Sequence, residues 1–203
     1  MRNSGKIIFA VMLLVSMLPL TSCGKSEAPG LSSGGVGGNE GGTSEEYKYP
    51  KPSQSATRLM TYNSYYCRGN TGTPAVSQTN TENFARVIKT LDADIVAIQE
   101  LDKGALNRNK RDLLQEIADA TGIDYQVVFA PAADYMGGKI GPGVLVKRSL
   151  GVKSTKTVEL PGDEGRMLVV VETEGFVFLG THLDLNDEAR RQSATIINDV
   201  SNG

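Results

Sequence analysis

Three polar residues, Asn63, Glu100 and His182, each follow an apolar, strand-like run, and their types suit one kind of chemistry. Ile95, Val96, Ala97 and Ile98 read as a strand buried on both faces, and Glu100 comes where such a strand leaves its sheet. A carboxylate there is costly to desolvate unless a cation or donor meets it, and ligands of open α/β sheets gather at strand carboxyl ends. Mg²⁺ (or Mn²⁺) takes oxygen ligands and keeps several waters, so Glu100 plus a substrate phosphate would suffice to hold it. The Asn63 amide can bind a phosphate oxygen or a metal-bound water. His182, the only histidine, can transfer a proton or donate to developing charge. A lone histidine closing a strand is as readily a satisfied structural residue. On residue types alone the two readings are level.

The elements that must position these groups are legible as periodicity. Arg58 to Tyr62 predicts a first strand ending in Asn63, and Ser64 to Gln78 a loop. Thr79 and Glu82 are spaced as a capping box for a helix whose apolar stripe is Phe84, Val87, Ile88 and Leu91. Strand, helix, strand in this spacing predicts a right-handed crossover between parallel strands, so Asn63 and Glu100 should emerge at one end of one sheet. A second helix over about 112–120 would bury Leu113, Leu114 and Ile117 and stop at Gly122. Strands are then predicted over Tyr125 to Phe129, Gly143 to Lys147, Val152 to Glu159, Met167 to Glu172 and Phe176 to Thr181. Asn186 would cap a last helix, with Asp187 and Glu188 in its first turn and Ala189, Ile196, Ile197 and Val200 buried. The run Gly137 to Gly143 lacks the Gly-Lys-Ser/Thr ending of a nucleotide-phosphate loop and opens a strand, so it reads as a turn.

The N-terminal part is of another kind. Arg2 and Lys6 precede an apolar run, Ile7 to Leu20, that is short for a membrane span and suits a signal peptide over residues 1–22. Leu20-Thr21-Ser22-Cys23 resembles a bacterial lipobox, which implies cleavage before Cys23 and lipidation of that residue. More than one acyl chain would anchor the protein stably to a membrane of the bacterial cell envelope, with its domain outside the cytoplasm. Residues 23–55, rich in Gly, Ser and Glu, read as a flexible tether with a span of roughly 30 Å. One folded domain is expected over 56–203. With Cys23 lipidated, Cys67 has no disulfide partner and reads as a packing residue. Removing two of the 21 basic residues with the leader leaves 19 against 23 acidic, so no nucleic-acid-gripping basic patch is expected. The short basic run Arg108 to Arg111 reads as a solvated face.

Three blocks in order then carry a family resemblance: Leu59-Met60-Thr61-Tyr62-Asn63, Asp94-Ile95-Val96-Ala97-Ile98-Gln99-Glu100, and Gly180-Thr181-His182-Leu183-Asp184. They resemble signatures of the endonuclease/exonuclease/phosphatase, or deoxyribonuclease-I-like, hydrolases. Arg191-Gln192 and the Gly-rich turn into Val144-Leu145-Val146 are also similar to that family. The resemblance implies an α+β fold, here a partial four-layer α/β/β/α sandwich of two packed mixed sheets, and divalent-metal phosphoester hydrolysis. It makes Glu100 the metal ligand, and places Asn63 in the active site and His182 on the scissile phosphate. It offers Arg166 and Tyr135 as residues supporting the substrate, although for Arg166 a surface salt bridge is an equal reading.

The chain departs from the family pattern after the third block. The Gly-Asp-x-Asn segment and the late Asp-His pair do not occur, and Asp184 and Asp187 flank the wrong strand to replace them. The expectation is a C-terminally truncated domain with an open second sheet and poor activity. The expected partners are a phosphoester (nucleic acid, nucleotide or phospholipid headgroup) and the membrane, with no protein partner. The rival expectation is a catalytically dead lipoprotein binding module or the remnant of an interrupted gene.

Overall fold

The computed structural model describes residues 6–12, 49–53, 55–68 and 77–202, the first stretch by its backbone alone. Cys23 and nearly all of the Gly-rich tether lie outside the described residues. Two sheets stack face to face. The first runs β2 (Leu59–Asn63), β3 (Ile95–Lys103), β6 (Gly138–Lys147), β4 (Tyr125–Phe129), with the short β5 (Ala133–Tyr135) also on β6. The second runs β1 (Lys6–Met12), β9 (Phe176–His182), β8 (Arg166–Thr173), β7 (Val152–Leu160). Its first strand belongs to the apolar run expected to be a leader, and its backbone pairs in parallel with β9.

The alternation of side chains along β3 decides the layers. Ile95 and Ala97 face the second sheet and pack with Val144, Val146, Val169, Val171 and Phe178. Val96, Ile98 and Leu101 face the other way, against Ile88 of α1 (Gln78–Leu91) and Leu113, Leu114 and Ile117 of α2 (Leu113–Thr121). On the far side, Leu168, Val170 and Leu179 meet Ile197 of α3 (Asp187–Asn202). The result is helices, sheet, sheet, helix: the expected four-layer sandwich. Each fully buried Leu, Ile or Phe here contributes about 1.5–3 kcal/mol. Gly180 lets the sheets close up, since a Cβ there would meet Val144 at 3.1 Å and Ala97 at 3.3 Å.

Some expectations are corrected. The cap of α1 is Ser77, whose hydroxyl accepts from the Asn80 N–H, and not the Thr79–Glu82 pair, which lies inside the helix. Val87, expected on the buried stripe, is 38% exposed at its margin. The β6 strand begins at Gly138, five residues before the predicted start, because it also pairs with β5. The α2 helix is capped by Asp112 and stops at a left-handed Gly122, as its sequence predicts. At α3 the Asn186 side chain accepts from the N–H groups of Glu188 and Ala189.

Candidate active site

The parallel register of β2 and β3 pairs Asn63 with Gln99, which brings Asn63 beside Glu100. Glu100 is not the end of its strand, as predicted, but a bulge within it. The register of β3 against β6 shifts between Ile98 and Leu101, and Glu100 takes a left-handed φ of +56°. A bulge re-aims one side chain while the ladder continues. Ser64 holds it there: its hydroxyl reaches the Gln99 and Glu100 carbonyls at 3.0 and 2.8 Å. The Asn63 amide donates to Glu100 Oε1 at 2.7 Å, and Asn63 Oδ1 accepts from the Tyr65 N–H. Among the described residues no protein donor meets Glu100 Oε2.

The second sheet contributes the opposite wall. His182 closes β9 and Arg166 opens β8, both more than nine-tenths buried. Arg166 Nε donates to Asp184 Oδ2 at 3.1 Å, its Nη2 reaches Glu164 at 2.8 Å, and its Nη1 lies 3.4 Å from His182 Nδ1. The surface-salt-bridge reading of Arg166 is therefore corrected: it is a buried side chain of the site. Gly162 makes room, because a Cβ there would strike both Asp184 and Arg166. Burial, followed by the Arg166 charge, pushes the His182 pKa below the ordinary histidine value. A guanidinium only donates, so His182 Nδ1 accepts and the ring proton sits on Nε2. Burial alone would raise Asp184, but the Asn186 N–H and Arg166 outweigh it and hold the carboxyl low.

Between these walls lies a cavity of about 70 Å³ lined by Tyr66, Glu100, Glu164, Arg166, Met167 and His182. At roughly 30 Å³ per water in the liquid, it has room for about two waters. Gln99, completely buried, spans the two sheets, donating to Thr61 Oγ1 at 3.1 Å and to the Thr181 carbonyl at 3.4 Å. The donor chemistry suits a hard divalent cation: Glu100 has a free carboxylate oxygen and Glu164 lines the same cavity. Among the described residues no three His, Cys, Asp or Glu side chains converge on one point. The fit is therefore to an ion that keeps most of its waters and takes one or two carboxylates.

A family model matches the chain over residues 60–200: the Endonuclease/Exonuclease/phosphatase family. The chain belongs to this family. Among solved structures it is similar to an endonuclease/exonuclease/phosphatase from Beutenbergia cavernae DSM 12333, with 19% identity and a TM-score of 0.54, covering 70% of this chain and 43% of that one. Truncated Caenorhabditis elegans TDP2 matches with 20% identity and a TM-score of 0.47, over 66% of this chain and 49% of that one. An endonuclease/exonuclease/phosphatase family protein from Leptotrichia buccalis C-1013-b matches with 16% identity and a TM-score of 0.49, over 70% of this chain and 61% of that one. The chain thus spans less than two-thirds of the length of each. No curated protein matches it.

Of the residues singled out in the sequence of this endonuclease/exonuclease/phosphatase family member, Glu100, His182 and Arg166 line one cavity, and Asn63 joins them through its bond to Glu100. Tyr135 does not line it. Its ring lies 4.9 Å from the Arg108 guanidinium, and its hydroxyl accepts from Asn107. Cys67 is fully buried and burial pushes its thiol up to about 12, so it packs and does not react. Arg108, expected on a solvated face, is 6% exposed and bonded to the fully buried Asp102 at 2.5 Å. Sequence reading missed Tyr66 and Glu164. Tyr66 had no local signal, because Tyr65, Tyr66 and Cys67 all take left-handed φ angles that a non-glycine sequence does not announce. Glu164 was hidden in what read as a polar turn before Gly165.

Proposed function

We propose that this chain carries the phosphoester-binding half-site of a divalent-metal-dependent phosphoester hydrolase, with Mg²⁺ (or Mn²⁺) held at Glu100. One observation carries the reading: Glu100, held by Asn63, and His182 with Arg166 line one small cavity from two different sheets. Bound there, the metal would polarise a phosphoryl oxygen and neutralise charge developing on it. Asn63 fixes the Glu100 carboxylate and orients its free oxygen. Arg166, held by Asp184 and Glu164, supplies a fixed positive charge to the phosphate. His182, neutral and protonated on Nε2, donates a hydrogen bond to the oxygen on which charge accumulates. Asp184 is occupied by Arg166 and does not serve as a base.

The test is metal-dependent hydrolysis of a simple diester, bis-p-nitrophenyl phosphate, by the wild type and Glu100→Ala. The expected outcome is loss of the Mg²⁺-dependent rate in the variant with an unchanged melting curve. Equal rates would remove Glu100 from the site. The rival, a binding module without turnover, draws on the occupied Asp184 and on His182, which leave no base for water among the described residues. It predicts that Mg²⁺ still raises thermal stability while no product forms. The lipid anchor at Cys23 and the envelope location belong to the same proposal, under which cleavage before Cys23 removes β1 and leaves β9 at the sheet edge; their check is radiolabelled palmitate incorporation lost in Cys23→Ser.

A further inference from the structure

The cavity is closed on one side by a series of flat side chains that continues outward from it. Tyr66 lines the cavity, and the Arg108 guanidinium lies 4.2 Å from the centre of its ring. The Tyr135 ring covers the same guanidinium at 4.9 Å. On the other side, the Tyr65 and Tyr66 rings stand 6.4 Å apart, and Arg68 lies 5.1 Å from the Tyr65 ring. The order is therefore Arg68, Tyr65, Tyr66, Arg108, Tyr135: two cations interleaved with three rings beside the site.

This series is built and not incidental. Asp102, fully buried, fixes Arg108 from below. The turn carrying Tyr65 and Tyr66 runs through three successive left-handed non-glycine residues, a conformation that persists only when its surroundings impose it. Buried Cys67 pins it by its side chain, and the Asn80 amide pins it by bonding the Cys67 carbonyl at 2.8 Å. Yet the strained turn leaves Tyr65 58% exposed, and Leu106 and Met136, on the two loops flanking Arg108 and Tyr135, are 59% and 57% exposed. Leu106 and Met136 are joined by a backbone hydrogen bond of 2.9 Å. Strain and exposed apolar surface lie together beside the cavity.

We propose that Tyr65, Tyr66 and the guanidinium group of Arg68, backed by the buried Arg108, form a stacking subsite for a planar aromatic group carried by the phosphoester, either a nucleobase or an aryl ring. The proposal rests on the hydrolase reading for its phosphate. Planar rings add to such a series because ring faces and guanidinium planes both accept a π partner. A glycerol or inositol group offers no such face.

The test is the affinity of the full chain, with Mg²⁺, for adenosine 5′-monophosphate, phenyl phosphate and glycerol 3-phosphate, by titration calorimetry. The expected result is that at least one aromatic phosphate binds at least about fivefold more tightly than glycerol 3-phosphate, the lower end of a single ring-stacking contribution. Tyr65→Leu should erase that preference and Tyr65→Phe should keep it. The adenosine and phenyl arms separate a nucleobase from a generic aryl group. Equal affinities for all three compounds, or a preference surviving in Tyr65→Leu, would overturn the subsite. If no phosphate compound binds the wild type, the hydrolase reading fails, and adenosine alone decides the subsite. Adenosine binding that weakens in Tyr65→Leu then supports it, and no binding overturns it.

Discussion

Asp94, just before β3, and Glu100, at the bulge within it, carry charge in opposite ways. Asp94 accepts from Lys51 at 2.6 Å, from Lys147 at 2.9 Å and from the Arg58 N–H at 2.6 Å. Lys147 also bonds Asp92 at 2.5 Å. Every charge of this cluster has an opposite neighbour. At the bulge, Glu100 has one donor and a strained backbone. The first end is arranged for stability and closes the domain over residues 49–53. The second leaves electrostatic capacity unspent, which is what a site for an incoming cation and phosphate requires.

The contrast is tested most strongly at its open end. Glu100→Gly removes the carboxylate but accepts the left-handed φ without strain. It should lower metal-dependent hydrolysis by about 10³-fold, several kcal/mol of transition-state stabilisation. Its stability should stay within ~1 kcal/mol of wild type, since relief of φ strain offsets the lost Asn63 bond. Chemical denaturation alongside initial rates checks both halves. Asp94→Ala should do the reverse. Removing one member of a buried charged group costs about 3 kcal/mol, seen as a lower denaturation midpoint. Hydrolysis measured well below the melting temperature should persist.

The acid response divides the same way. Asp94 would be raised by burial, but the Arg58 N–H and the two lysines prevail and hold it below the ordinary aspartate value. Its folded pKa is depressed, so its stabilisation is present above the unfolded value near 3.8 and is lost as pH falls through the folded one. His182 is also depressed, by burial and by Arg166. The unfolded chain therefore takes up its proton first, and stability falls as pH drops below about 6.5. His182→Asn should flatten the stability profile just below pH 6.5 and leave the more acidic Asp94 transition in place. A profile unchanged by the substitution would show that His182 is not buried as a neutral ring. The smallest effect belongs to Asp92, whose side chain is 57% exposed. Asp92→Asn should cost no more than ~0.5 kcal/mol, and less at high salt.

How far the sequence carried each end follows from the range of the interactions. Asn63 and Glu100 could be placed together because a strand–helix–strand crossover leaves little choice of direction. The layers were anticipated from the family resemblance, while Ile95 to Ile98 by itself announced only a strand covered on both faces. The bulge at Glu100 could not, since it depends on the register of β6, some forty residues later in the chain. Arg108 was misread because its partners Asp102 and Tyr66 are brought over it by tertiary folding, while its sequence neighbours Lys110 and Arg111 suggested solvent. Tyr135 was placed in the cleft by resemblance, and Tyr66 occupies that wall instead. The sequence placed the cap of α1 at Thr79, and the helix starts two residues earlier, after Ser77.

Gln99 has a mechanical consequence. Its side chain ties β2 and β9, strands of different sheets, at one level. Two stacked sheets held only by apolar contact can slide along each other with little resistance, since such contact has no direction. A hydrogen bond has one, and this crosspiece stands one residue from Glu100 and receives its far bond one residue from His182. Any sliding that would separate the two halves of the cavity must first break it in a dry interior, so the spacing across the cleft is held by direction as well as by contact.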